Sequence, residues 1–302
     1  MRDMAKILVT NKIPFWDELS KPLVERGDEL ILGRLGDLDE NFDGLLCLLT
    51  DKVTKSVLEK ASKLKIIANY AVGFDNVDVA YCASKNIVVA NTPCDEVNEA
   101  VAEFTWTLIL ALSRKLEPAA DFAKNVGYKG WQPDIFIGTD LKNKTLGVIG
   151  AGRIGSIVAE KAAAFGMKVV THSRTSNTKL EEVITASDVV SLHVPLTSET
   201  RHLINAKTKF KKDAILINTA RGPVVDESGL LELLQNGLLS GAALDVWENE
   251  PHPRPELVEM PNVILTPHIA SATKLARLSM GKVAVANLLA VLSGQPTLNP
   301  VS

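Results

Sequence analysis

Three patterns in this chain have the residue types and spacing to do chemistry: a glycine turn, a strand end lacking an acid, and three polar residues that follow apolar strands. The stretch "TLGVIGAGRIGSIVAEKAAAFG" passes from an apolar strand through Gly150, Gly152 and Gly155 into a helix. Each glycine has a separate duty: a tight turn, close backbone approach to a pyrophosphate, and close helix–strand packing. The helix N-terminus adds unpaired N–H donors and the positive end of its dipole. In this strand–turn–helix setting the G-x-G-x-x-G spacing predicts a dinucleotide site.

The next apolar run, "MKVVTH", ends about 20 residues after the glycines, where an NAD-binding domain places an Asp or Glu on the adenosine ribose 2′-hydroxyl. Here the chain has Ser173, Arg174 and Thr175 instead. An anion would repel a 2′-phosphate. These three side chains remove that repulsion and offer two hydroxyls and a guanidinium, whose planar fork of donors matches phosphate geometry. The expected cofactor is therefore NADP(H).

Arg221 closes "AILINTARG", Glu250 lies in "GAALDVWENEP", and His268 ends "VILTPH". Open α/β sheets bind ligands beyond the carboxyl ends of their strands. An apolar strand that stops on Arg or His aims a charged or titratable group into that crevice, beside the nicotinamide. The remaining histidines, His172, His193, His202 and His252, show no paired metal-ligand spacing, and no metal site is expected.

These residues need elements to hold them. "KILVT", "ELILG", "GLLCLLT", "KIIANY" and "IVVAN" are short apolar runs bounded by turn or charged residues, which predicts buried strands. "WDELSKPLVERG", "KSVLEKASKL" and "VDVAYCASKN" between them predict helices. A long helix starts near Glu96, with Val97, Val101, Phe104, Leu108 and Leu112 at helical spacing. The stretch "EPAADFAKNVGYKGWQPDIFIGTDLKNK" reads as irregular. Its Tyr128, Trp131 and Phe136 pack either on their own subunit or on a partner, since large apolar side chains in a loop need cover.

From Lys144 the alternation restarts with "TLGVIG", "MKVVTH", "DVVSLHV", "AILINT", "GAALDV" and "VILTPH". The fold class is α/β, with two doubly wound parallel-sheet domains in succession. A last helix, from about Ser271 to Leu292, has no strand after it and could return to the first domain.

Length and composition agree with this. A chain of 302 residues can bury two cores. With 46% hydrophobic residues, 23% charged and a net charge of −3, it is an ordinary globular chain with no basic excess for nucleic acid. The densest basic cluster, Lys207–Lys212, reads as a solvated helix end. Cys47, Cys82 and Cys94 fit no metal or redox spacing and read as small hydrophobes in a reducing cytoplasm. "MRDMAKILVTNK" does not resemble a leader. The longest apolar run noted, around Leu108–Leu112, falls far short of the ~20 residues that span a bilayer, so no membrane partner is expected.

Six segments in order resemble the D-isomer-specific 2-hydroxyacid dehydrogenase family: "AVGFDNVD", "GVIGAGRIG", "SLHVPLTSETRHLI", "INTARGPVVDE", "ALDVWENEP" and "LTPHIASAT". The resemblance covers essentially the whole chain. It implies a flavodoxin-like substrate domain, residues 1–96 completed by 275–302, a Rossmann cofactor domain, 97–274, and a cleft between them. Carried over by motif, Arg221 binds the substrate carboxylate and polarises the 2-oxo group. His268 gives a proton to the carbonyl oxygen as hydride reaches C2, and acts as base in reverse. Glu250 holds the imidazole and favours its protonated form. Glu248 is a rival, but Glu250 directly precedes Pro251, as the family motif requires.

Val72 and Gly73 are implied to offer backbone N–H groups to the carboxylate. Besides the glycines and Ser173–Thr175, the implied cofactor contacts are Arg153, Ile154, Val194, Pro195, Thr219, Ala220, Asp245 and Ala270. The resemblance also implies a homodimer through the arm around Trp131. Within the family, "SRT" after the second strand resembles the NADPH-dependent glyoxylate and hydroxypyruvate reductases. NAD-dependent 3-phosphoglycerate and D-lactate-type dehydrogenases are the enzyme alternatives. Nucleotide-sensing corepressors of the same fold are the non-catalytic one.

Overall fold

A computed structural model describes residues 4–301; residues 1–3, part of the stretch read against a leader, lie outside the described residues. The chain divides into two compact units. One comprises the chain up to Val97 and again from Ala272; the other is Asn98–Ser271.

In the first unit five apolar runs form β1 (Lys6–Val9), β2 (Glu29–Leu32), β3 (Gly44–Leu48), β4 (Ile66–Tyr70) and β5 (Val88–Ala90). All pair in parallel, in the order β2-β1-β3-β4-β5. β1, β3, β4 and β5 are mostly apolar because both faces are covered, whereas the edge strand β2 is only partly buried. One face carries Leu8, Leu45, Cys47, Ile67 and Val89, packed with Leu58, Val77 and Cys82. The helix Lys274–Leu292 packs on β3, β4 and β5 and buries Met280, Gly281, Ala284, Val285 and Leu288. Gly281 lets it approach Leu19 closely, since a Cβ there would meet that side chain.

By length and composition this, and not the helix around Leu108–Leu112, is the one described helix able to cross a membrane. Its C-terminus is held by Arg26. That guanidinium donates Nη1–H to Leu292 O at 2.8 Å while Nε and Nη2 grip buried Asp28 at 2.8 and 2.6 Å. A cation is favoured at that end of a helix dipole.

The second unit holds β6 (Thr145–Ile149), β7 (Lys168–His172), β8 (Val189–Leu192), β9 (Ile215–Asn218), β10 (Gly241–Leu244) and β11 (Val263–Leu265). Their order is β11-β10-β9-β8-β6-β7, all parallel. The chain winds one way from β6 to β7 and the other way to β8. β6 therefore marks the switch point where such sheets open a ligand crevice. The helix Asp95–Ser113 lays Trp106, Leu108 and Ile109 on a face made by Leu146, Val148, Ile217 and Ala243. Trp106 also stacks on Phe165 at 4.4 Å and donates Nε1–H to Val158 O at 3.1 Å.

Locally the elements depart from the pattern of the sequence. "WDELSKPLVERG" breaks into helices Trp16–Leu19 and Lys21–Arg26, with Pro22 in the first turn of the second, where its missing N–H costs nothing. "KSVLEKASKL" keeps only the short helix Lys55–Leu58. The stretch read as irregular starts with a helix, Leu116–Asp121, and a π-helical turn, Phe122–Gly127. Pro118 lies in its first turn, so it is tolerated there, and two alanines follow. Beyond it Trp131 is 81% exposed and Tyr128 53%, whereas Phe136 is half-buried, edge-on to Phe122 at 5.4 Å.

Candidate active site

The loops that carry the second unit's candidate site residues all leave the carboxyl edge of one sheet. Along that edge come the His268 loop (after β11), the Asp245–Glu250 loop (β10), Arg221 (β9), "HVP" (β8), the glycine turn (β6) and "SRT" (β7). At about 4.8 Å per strand, Arg221 and Arg174 start from strands on the order of 14 Å apart.

The glycine turn is shaped for close approach. Gly150 has φ +99°, and a Cβ there would meet the carbonyl oxygen of His193. A Cβ on Gly155 would meet the carbonyl oxygen of Gly150. Gly152 is different: it caps the helix Arg153–Lys161 from outside, and a Cβ there would meet nothing within 4 Å. Two glycines thus close the turn, and the third leaves open space above the first N–H groups of a helix. That cradle fits a pyrophosphate. Arg153 is exposed on the first turn of this helix, with Ile154 partly buried beside it.

After β7 the chain folds into a tight polar turn. Ser173 N–H donates to Ser176 Oγ at 3.0 Å, Ser176 N–H donates to Ser173 O at 3.1 Å, and the Ser173 and Thr175 hydroxyls lie 3.3 Å apart. Arg174 and Thr175 are exposed. Arg174 acts at a distance on Glu199, whose carboxyl is held below its usual range, first by the Thr197 hydroxyl and the adjacent backbone and only weakly by this charge. Between turn and sheet, His193 places Nε2 2.8 Å from Ser191 Oγ, and burial pushes its pKa down to about 4, so the ring is neutral. Val194 is partly buried and Pro195 exposed.

Arg221 lies three residues beyond the end of β9 rather than on it. Buried Asn218 shapes this corner, accepting the Ala220 N–H at 3.0 Å and donating to Arg221 O at 3.0 Å. Arg221 Nη1–H donates to Ala220 O at 2.6 Å, and Thr219 Oγ1 meets Thr105 Oγ1 at 3.0 Å. His268 likewise follows its strand by three residues, at φ +54°. Its Nδ1 lies 2.9 Å from Glu250 Oε2, with side chains 26% and 31% exposed, which leaves Nε2 for another partner. An imidazole held on one nitrogen by a carboxylate can pass a proton from the other.

Asp245, expected among the cofactor contacts, is fully buried. Its carboxylate accepts Thr266 Oγ1–H at 2.7 Å, Ile269 N–H at 2.9 Å and Ala270 N–H at 2.8 Å. Burial pushes this carboxyl up in pKa, against the hydrogen bonds. It stands beneath the loop that carries His268, and the Ala270 N–H is committed to it. Glu248, the rival to Glu250, turns away from His268 and bonds to His202 at 2.6 Å. Among the described residues no cluster of His, Cys, Asp and Glu could hold a metal.

In the first unit, Val72 and Gly73 follow β4. The carbonyl of Val72 accepts Asn91 Nδ2–H at 2.6 Å and that of Gly73 accepts buried Asn69 Nδ2–H at 2.9 Å. The two asparagines thus fix the turn through its carbonyls. Neither asparagine was singled out in the sequence, though "KIIANYAVGFDN" and "IVVAN" place both at strand ends.

The chain matches the model of the D-isomer specific 2-hydroxyacid dehydrogenase NAD binding domain over residues 106–270. It is 42% identical to the glyoxylate reductase of Thermococcus litoralis, covering 98% of this chain and 96% of that one. The crystal structure of a Thermus thermophilus protein superposes with a TM-score of 0.92 at 41% identity, covering 98% of this chain and 100% of that one. The NADPH-dependent glyoxylate/hydroxypyruvate reductase of Sinorhizobium meliloti, solved with NADP and malonate, gives a TM-score of 0.86 at 32% identity, covering 99% and 97%.

Proposed function

Because the chain belongs to the D-isomer specific 2-hydroxyacid dehydrogenases, we propose that it reduces a small 2-oxo acid of the glyoxylate or hydroxypyruvate type, with NADPH as cofactor. The His268–Glu250 contact of 2.9 Å, on loops one and two strands along the sheet edge from that of Arg221, is the observation that carries the reaction. The turn at Gly150, Gly152 and Gly155 and the helix N-terminus at Arg153 and Ile154 would hold the pyrophosphate. Ser173, Arg174 and Thr175 would receive the 2′-phosphate. Val194, Pro195, Thr219, Ala220 and Ala270 would line the path between. Asp245 serves that path from below, through the loop it supports.

When bound, the cofactor supplies a hydride to C2 of the 2-oxo acid. The chain's own groups do the rest. Arg221 pairs with the substrate carboxylate and draws electron density from the 2-oxo group. Glu250 fixes His268 through Nδ1, so the proton delivered to the carbonyl oxygen is the one on Nε2. In the oxidative direction the neutral ring takes that proton back. Residues 1–96 and 275–302 form the substrate domain in this scheme, and 97–274 the cofactor domain.

The absence of an acid after β7, with Arg174 exposed there, supports NADPH over NADH. Similarity to a reductase solved with NADP supports the same choice. The exposed Trp131 and Tyr128 support a homodimer that covers the arm, and the three free cysteines support a cytoplasmic protein. Initial rates of NADPH and NADH oxidation with glyoxylate and with hydroxypyruvate test the proposal. Saturable NADPH-dependent reduction of either acid is expected; no turnover of either with either cofactor overturns it.

A further inference from the structure

The loops that carry Arg221 and Glu250 are tied to each other by side-chain and backbone contacts outside the His268–Glu250 pair. Arg221 is followed by Gly222, and a Cβ on Gly222 would meet the carbonyl oxygen of Trp247, so the two loops are in direct backbone contact. Five residues on, Glu227 opens the helix Glu227–Gln235, capped by Asp226. Its carboxylate reaches across to accept Glu248 N–H at 2.6 Å. Glu248 reaches back, and its Oε2 accepts Glu227 N–H at 3.3 Å.

The exchange is reciprocal, side chain to backbone in both directions. A third segment joins it. His202, at φ +54°, donates its own N–H to Pro223 O at 2.8 Å and brings Nε2 within 2.6 Å of Glu248 Oε1. The same segment pairs with the Arg221 loop through Ile204 N–H to Val224 O at 3.2 Å and Asp226 N–H to Ile204 O at 2.8 Å.

We infer that Glu227, Glu248 and His202 form a positioning network that sets the placement of Arg221 and Glu250, and through Glu250 that of His268. The inference rests on the roles proposed above for those three residues. Glu227 is only 4% exposed, and an isolated buried carboxylate would be costly, so its cross-loop partner is part of why it is tolerated. Burial pushes the Glu227 carboxyl up in pKa, as do the neighbouring charges of Glu248 and Asp226, while the hydrogen bond from Glu248 N–H and the charge of Arg254 oppose them. Arg254 is itself tied to the same helix through Ser228 Oγ at 2.7 Å.

The network joins loops that follow β9 and β10, whereas the two turns that would hold the cofactor's phosphates, the glycine turn and residues 173–175, leave from β6 and β7 and carry most of the expected cofactor affinity. Loosening it should therefore disturb handling of the 2-oxo acid and spare the cofactor. A shift of about 1 Å in a catalytic group can cost ~100-fold.

The test compares Glu227→Ala, Glu227→Gln and Glu248→Ala with wild type. The readouts are kcat and KM for glyoxylate, the NADPH dissociation constant by fluorescence, and the melting temperature. Glu227→Ala is expected to lower kcat/KM for glyoxylate by ~10- to 100-fold with NADPH affinity within about twofold of wild type. Glu227→Gln keeps an oxygen acceptor for Glu248 N–H and should recover most of that loss, which a merely destabilising change would not do. Should Glu227→Ala fail to fold, half-buried Glu248→Ala removes the other half of the exchange and is expected to give the same split. A folded alanine variant with unchanged glyoxylate kinetics overturns the inference. So does a loss shared equally by NADPH affinity, or a glutamine variant no better than alanine. If wild type reduces no 2-oxo acid, it is the proposed function that fails, and an unchanged NADPH affinity in the variants would not restore it.

Discussion

Replacing Arg174 with alanine should separate the two nicotinamide cofactors. Arg174 is exposed at the turn after β7, and its charge acts on Glu199, to which it makes no hydrogen bond. It is thus available to an incoming phosphate. One charge-assisted hydrogen bond is worth ~1.5–3 kcal/mol, and ~1.36 kcal/mol is tenfold, so NADPH binding should weaken by roughly 10- to 150-fold. Solvent screening of an exposed guanidinium puts physiological salt toward the lower figure and makes the effect larger at low ionic strength.

The freed Glu199 adds repulsion of the same sign. NADH has no phosphate there and should lose little. The single change leaves no acceptor for the ribose hydroxyls. Ser173→Asp supplies one at the first residue past the strand and repels the phosphate, so the double variant should prefer NADH. The assay is kcat/KM for both cofactors at saturating glyoxylate, in wild type, Arg174→Ala and the double variant. Equal losses for both cofactors in Arg174→Ala, or a wild type that prefers NADH, would refute the assignment of this turn to the 2′-phosphate.

Arg221→Lys keeps the charge but loses the planar fork, and kcat/KM for glyoxylate should fall by ~10- to 150-fold with NADPH affinity nearly unchanged; unaltered glyoxylate kinetics would remove Arg221 from the site. Sedimentation at micromolar concentration should show a wild-type dimer and a shift toward monomer in Trp131→Asp, and a monomeric wild type would rule out the arm as a dimer contact. Asp188 accepts Thr145 N–H at 2.8 Å and pairs with Lys211 at 2.9 Å and Lys144 at 3.4 Å. These contacts outweigh burial and hold its carboxyl below the ordinary 3.8. Its folded pKa is depressed, so the stabilisation is present above the unfolded value and lost as pH falls through the folded one. Asp188→Asn should accordingly lower the melting temperature at pH 7 and narrow its gap to wild type below about pH 3.8; a gap constant across that range would contradict the pairing.

The strands and their succession were legible because buried parallel strands are short, apolar and bounded. "GLLCLLT" and "AILINT" leave no other reading. Arg221, Glu250 and His268 stood out as polar residues after such runs, and the glycines by their spacing. Helix ends were less legible, because a break such as Ser20 depends on Pro22 and on what packs beneath. The residues that hold the site were mostly hidden. Asn69, Asn91 and Asn218 act through backbone groups elsewhere on the chain, and no local pattern separates them from surface polar residues; Asp245 was marked by its motif, but not for the loop it supports. Glu248 and Glu250 are the sharpest case. Two glutamates with a single residue between them face different partners, His202 and His268, because the chain turns there.

Single-turnover reduction of glyoxylate, followed by the absorbance of NADPH in wild type and in His268→Ala, tests most directly whether His268 delivers the proton. General acid catalysis typically contributes ~10²–10⁴-fold. The alanine variant should bind NADPH as tightly as wild type and transfer hydride slower by a factor in that range. An undiminished single-turnover rate would contradict the role of His268, whatever the fold and the family.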